Sequence, residues 1–166
     1  RHLRFLLIFC PRWLYLIPGV LLMTLGLGLG AAIVHGPKHV LGATLDTNTL
    51  LYAGTAVIVG FQAIVFGVLT RVYGMVSGFL PPKRIVERLT QQGTLEIGLV
   101  AGIALFVVGV GSAIYATLQW RATGFAGFEY TRILRVVIPS AIAIILGLQI
   151  MLGAFFLSVL LINRKS

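Results

Sequence analysis

The chain has 166 residues, of which 58% are hydrophobic and only 10% charged, and its mean hydropathy is +1.03. A soluble domain carries about 25% charged residues, so the composition excludes one. The formal charge of +9 does not point to nucleic acid, because the basic residues sit at the ends of apolar windows rather than in a stripe with interleaved aromatics.

The opening stretch, Arg1 to Gly19, reads RHLRFLLIFCPRWLYLIPG. Its apolar run, Phe5 to Cys10, would rise only about 9 Å as a helix, against a hydrocarbon core of about 30 Å. Pro11-Arg12-Trp13 then breaks the run just before a segment long enough to cross. Residues 1–12 therefore read as a juxtamembrane segment lying among the headgroups, or else as a frayed basic tail. A start at Arg1, without an initiator Met or a cleavable signal, suggests a fragment or a processed chain. Cys10 is the sole cysteine, so an intrachain disulfide or thiolate metal cluster is excluded.

Four windows lack Asp, Glu, Lys and Arg: Trp13 to Gly36, Thr47 to Thr70, Ile97 to Trp120, and Val136 to Asn163. Each exceeds the roughly 20 residues a helix needs to span, and none alternates as a barrel strand would. The expected fold is an all-α integral membrane domain over 13–166, with spans at about 13–35, 49–73, 94–120 and 131–162. In the first span Gly19, Gly26 and Gly30 recur at intervals that place them near one face, a surface on which another helix can approach closely. The connection from His35 to Asn48 holds Gly36-Pro37 as a stop and Asp46-Thr47-Asn48 as cap candidates. Its two histidines, without a carboxylate partner, make a poor metal site.

The second span carries Gln62 near its middle and the fourth carries Gln149 near its own, which suggests an interhelical hydrogen bond between the two amides. Between spans two and three, Gly78 and Pro81-Pro82 end the helix. Lys83 to Gln92 restarts a short amphipathic one, expected to lie flat with Lys83, Arg84 and Arg88 toward anionic headgroups. The third span shows the clearest small-residue stripe, with Gly98, Gly102 and Gly109, and is expected to be the most central helix. Pro139 lies within the fourth. Nine of the thirteen basic residues flank one side and four, Lys38, Arg121, Arg132 and Arg135, the other. The positive-inside rule then places both termini in the cytoplasm of a multi-pass protein. Asp46, Glu87, Glu96 and Glu129 are scattered over both sides, so no self-contained active site is expected and no catalytic residue or cofactor is assigned to this chain.

The opening RHLRFLL, the Pro11-Arg12-Trp13 turn and the segment GFQAIVFG resemble the membrane region of prokaryotic family 2 glycosyltransferases of the dolichol-phosphate mannose or glucose synthase type. The similarity continues through FLPPKRIVERLTQQGTLEIG and RVVIPSAIAIILGLQIMLGAFFLSVLL, covering nearly the whole chain. It implies an enzyme of the prokaryotic plasma membrane that moves a sugar from a nucleotide donor to polyprenyl phosphate at the cytoplasmic face. It also implies a divalent metal held by an Asp-x-Asp motif in an N-terminal catalytic domain. That motif has no counterpart here, where Asp46 is the sole aspartate. What carries over is the membrane half, with the bilayer, polyprenyl phosphate and the catalytic domain as partners, and with Arg1, Arg4 and Arg12 placed near the lipid phosphate. The same arginines also serve as ordinary positive-inside flanks. The glycine faces are compatible with a homo-oligomer. Two other classes fit a small basic four-helix chain: a stand-alone flippase for polyprenol-linked sugars, and a structural assembly subunit.

Overall fold

The computed structural model describes residues 12–34, 36, 38–40, 43–80, 92–122 and 130–162. Four helices in it are long and apolar enough to cross a membrane. The first, α1 (Ile17–Ile33), is entered through a π-helical turn, Arg12–Leu16. Pro18 accounts for the widened turn, since it offers no N–H to the Leu14 carbonyl and its ring crowds that group. The other three are α2 (Thr47–Val76), α3 (Gln92–Ala122) and α4 (Tyr130–Ile162). At 1.5 Å per residue each is about 45 to 50 Å long, so all three reach beyond a hydrocarbon core of about 30 Å.

Between α1 and α2 the chain forms a two-stranded antiparallel hairpin, β1 (Lys38–Val40) and β2 (Ala43–Leu45), with Lys38 opposite Leu45. Strands of three residues are too short to show periodicity. Asp46 follows in an extended conformation and its carbonyl accepts from Leu50 N–H at 3.0 Å, opening α2. The far end of α2 closes on Gly78, whose φ of +75° is the left-handed geometry that glycine adopts at least cost. Phe79 N–H reaches back to Gly74 C=O at 2.9 Å and Gly78 N–H to Met75 C=O at 3.2 Å. These two bonds satisfy carbonyls that the helix end would otherwise leave bare.

The helices stand in the order α1, α2, α4, α3, each packing chiefly on its neighbours in that row. The third span was expected to be the most central and instead lies at an edge. Gly98, Gly102 and Gly109 all meet a single partner, α4, because a stripe on one face can receive only one helix. Within the two antiparallel pairs, α1/α2 and α3/α4, backbones touch through glycine. A Cβ built on Gly19 would lie 2.8 Å from Gly60 O, and one on Gly26 would lie 2.5 Å from Ala53 O. Across α3/α4 a Cβ on Gly102 would lie 2.9 Å from Gly147 O, and one on Gly109 would lie 2.8 Å from Ile144 N. Lipid gains little from burying Leu, so association of this kind rests on close backbone approach. The stripes are not uniform: Gly30 meets only Leu50 at 3.9 Å and Gly98 only Ala154 at 3.8 Å, both ordinary contacts.

Several hydroxyls bond within their own helices, as where Thr24 donates to Val20 O at 2.9 Å and the buried Ser140 to Val137 O at 2.7 Å. Leucine and valine cover much of the outward surface, as lipid-facing helices require. The side-chain core gathers at the end opposite Arg12, here called distal, around Ile33, Leu50 and Ile138. The segment 1–11 and the short helix expected at Lys83 to Gln92 fall outside the described residues, apart from the backbone of Gln92, where α3 begins.

Candidate functional site

The two helix pairs meet where α2 and α4 run side by side in the same direction. Gly54 packs on Ile142, and eleven residues further along both helices a Cβ on Gly153 would lie 3.5 Å from Val65. Two cavities lie end to end along this seam. The distal one, about 320 Å3, has a floor of Gly26, Gly30 and Gly54 and walls that include Leu50, Leu105 and Leu146. The proximal one, about 260 Å3, lies between Phe61, Val65 and Leu69 of α2 and Ile150, Gly153 and Leu157 of α4, with Gly98 of α3 beside them. Along α4 the two run from Pro139 to Leu157, a rise of about 27 Å and close to a full hydrocarbon thickness. Their linings are apolar apart from one side chain, Gln149, which stands where the two meet.

Gln149 does not hold Gln62. Its Oε1 is buried without a hydrogen-bond partner, and no bond between the two amides occurs among the described residues. The depths agree, since Gln149 is level with Phe61, but the rotation does not. Phe61 faces α4, and the next residue along a helix is turned by about 100°, which carries the half-buried Gln62 off the seam. A buried acceptor without a donor costs about 1 to 3 kcal/mol. Gln149 is therefore the one polar demand that the apolar groove leaves unanswered among the described residues.

At the distal end the seam is clasped by charge. Arg135, one turn before Pro139, donates from Nη2 to Asp46 Oδ1 at 2.8 Å. The guanidinium side chain is 18% exposed and the carboxylate 37%. The bond to Arg135 holds the Asp46 carboxyl below the usual carboxylate range. Asp46, one of the three cap candidates, takes the N-cap position of α2, but its side chain makes no cap hydrogen bond and turns to Arg135 instead. The pair joins the start of α2 to the second turn of α4. A sequence signal for it existed: in a chain that crosses four times, spans two and four are parallel, so opposite charges at their starts lie at one level.

Of the other residues singled out from sequence, Gly19 and Gly26 face α2, and Gly102 and Gly109 face α4. Gly30 opens onto the distal cavity and Gly98 onto the proximal one. Arg1, Arg4, Lys83, Arg84 and Arg88 lie outside the described residues, and of Arg12 only the backbone, at the start of the π turn, is described.

Residues 68–161 match the family described as the glycosyltransferase family 2 C-terminal transmembrane region. Among curated proteins the chain is similar to the low-salt glycan biosynthesis hexosyltransferase Agl6 of Haloferax volcanii, with 27% identity over 158 residues. That match takes in 95% of this chain but spans only 37% of the relative's length. No solved structure matches the chain significantly. The matched region runs from the last turns of α2 through α3 and nearly to the end of α4, more than half of the residues. The chain thus belongs to the glycosyltransferase family 2 C-terminal transmembrane region.

Proposed function

We propose that this chain is the membrane domain of an enzyme that transfers a hexose from a nucleotide-sugar to polyprenyl phosphate at the cytoplasmic face. The observation that carries this reading is the groove at the α2/α4 seam, which is apolar, floored with glycine and close to the bilayer core in length. Such a groove suits an isoprenoid chain, whose surface asks for contact and offers no hydrogen bonds. With the chain in the groove, the phosphate comes to the proximal end. By sequence, Arg12, Lys83, Arg84 and Arg88 belong to that end, along with Arg1 and Arg4, where guanidinium and ammonium groups would neutralise it. Family membership favours this reading over a stand-alone flippase or assembly subunit.

The donor nucleotide, the divalent metal and the catalytic base belong in this reading to a domain outside residues 1–166. The relative's name as a hexosyltransferase and the modest share of it that this chain spans support that division. The work of the four helices is then positional. They hold the acceptor's phosphate at a fixed height beneath the catalytic domain and remove its diffusional freedom, the larger part of what an anchored enzyme can gain from proximity. Both termini are cytoplasmic in this arrangement, as the nine-to-four distribution of basic residues indicates.

The test uses the full-length protein in liposomes, with polyprenyl phosphate and a one-isoprene phosphate as alternative acceptors. Ala154→Trp fills the proximal cavity from α4. The expected result is a KM raised about tenfold or more for the long acceptor, with the short acceptor unaffected, because only the long chain uses the groove. Equal effects on both acceptors, or no transfer to any polyprenyl phosphate, would refute the reading.

A further inference from the structure

We propose that the distal ends of α3 and α4 hold the phosphate of an anionic phospholipid, a site separate from the α2/α4 groove. A cavity of about 310 Å3 opens between these helices, lined by Tyr115, Ala116 and Gln119 of α3 and by Arg132, Ile133 and Val136 of α4. Its chemistry differs from that of the seam cavities. Gln119 Nε2 donates to Tyr115 Oη at 3.1 Å, which directs the phenol's own proton elsewhere and leaves the amide a second N–H to give. Arg132 adds a guanidinium, whose five donors can serve the protein and a phosphate together. The three polar side chains of the lining offer these donors and no carboxylate, so the cavity selects an anion.

The place selects a lipid rather than a free ion. Trp120 and Arg121 follow Gln119 directly, at the level where a spanning helix leaves the hydrocarbon. The buried Ala116 forms the floor, and Ile133 and Val136 supply an apolar wall on which a glycerol backbone and the first methylenes can lie. Charge agrees with this. By sequence Lys38, Arg121, Arg132 and Arg135 belong to this end against Asp46 and Glu129, and Asp46 is engaged by Arg135. A phosphodiester without a choline ammonium is favoured, since a second cation beside Arg132 would be repelled.

The full-length protein, purified in detergent and stripped of lipid, is titrated with phosphatidylglycerol or phosphatidylcholine and followed by native mass spectrometry. Phosphatidylglycerol should bind more tightly. Arg132→Gln should weaken it about fivefold, one basic residue's share at a membrane surface. Tyr115→Phe should weaken it less, and Arg121→Gln should leave it unchanged. Arg121→Gln weakening it as much as Arg132→Gln would overturn the site in favour of diffuse attraction. Displacement by millimolar inorganic phosphate would overturn the lipid assignment, and equal binding of the two lipids would overturn both.

Discussion

Replacing Gly26 by Ala separates α1 from α2 without touching any polar group. The added Cβ would sit 2.5 Å from Ala53 O, 2.9 Å from Val57 N and 2.8 Å from Val57 Cγ2. Two of these three atoms are backbone, so no rotamer change relieves them, and the helices must part by on the order of 1 Å to restore ordinary contact. A gap of that size forfeits a quarter to a half of the dispersion well for each atom pair along the seam. Added to the strain, the cost is about 2 to 3 kcal/mol. Two neighbours in the same helix are controls. Gly28→Ala places its methyl in open space, and Gly30→Ala meets only Leu50 at 3.9 Å. Both should be neutral or slightly stabilising, as Ala is the better helix former by roughly 0.5 to 1 kcal/mol. Unfolding free energies measured by steric trapping in bicelles rank the three. If Gly26→Ala falls within about 0.5 kcal/mol of Gly28→Ala, close backbone approach is not what holds this pair.

The clasp between Asp46 and Arg135 sets a pH dependence. The folded carboxyl titrates below its unfolded value of about 3.9, so its stabilisation is fully present above that value and is lost as pH falls through the folded pKa. The stability difference between wild type and Asp46→Asn, followed from pH 6 to pH 2, should therefore shrink at the acid end; a difference constant across the range would contradict the pair. Gln149→Leu removes an unanswered buried acceptor and should be neutral or stabilising by about 1 kcal/mol. Its combination with Gln62→Leu should equal the sum of the single changes, and a coupling above about 0.5 kcal/mol in that cycle would mean the amides interact after all.

The four spans found among the described residues were legible because a helix in lipid must be apolar over a length fixed by the bilayer. Asp46 at the start of α2, Gly78 at its end and Trp120 near the end of α3 all stood out as boundary residues. Neighbour choice was not legible. The stripe at Gly98, Gly102 and Gly109 marks a face for close contact but carries no information on how many helices use it, and it proved to serve α4 alone. The glutamines failed for a related reason. Distance from the ends of a window gives depth, whereas contact also needs rotational phase, and Phe61 rather than Gln62 has the phase that meets α4. The β1/β2 hairpin is set by a few residues between helices, too few for any pattern to register.

The pairing of neighbours along the chain has a consequence for how the domain is made. A ribosome delivers the N-terminal segments first, and α1 finds its glycine-lined partner as soon as residue 76 is inserted. The second pair assembles in the same local manner once α4 follows α3. Among the described residues, the α2/α4 seam, its Asp46–Arg135 clasp and the cluster of Ile33, Leu50 and Ile138 join parts far apart in sequence, so they close last. Mutations that slow assembly without loosening either helix pair should therefore cluster at that seam.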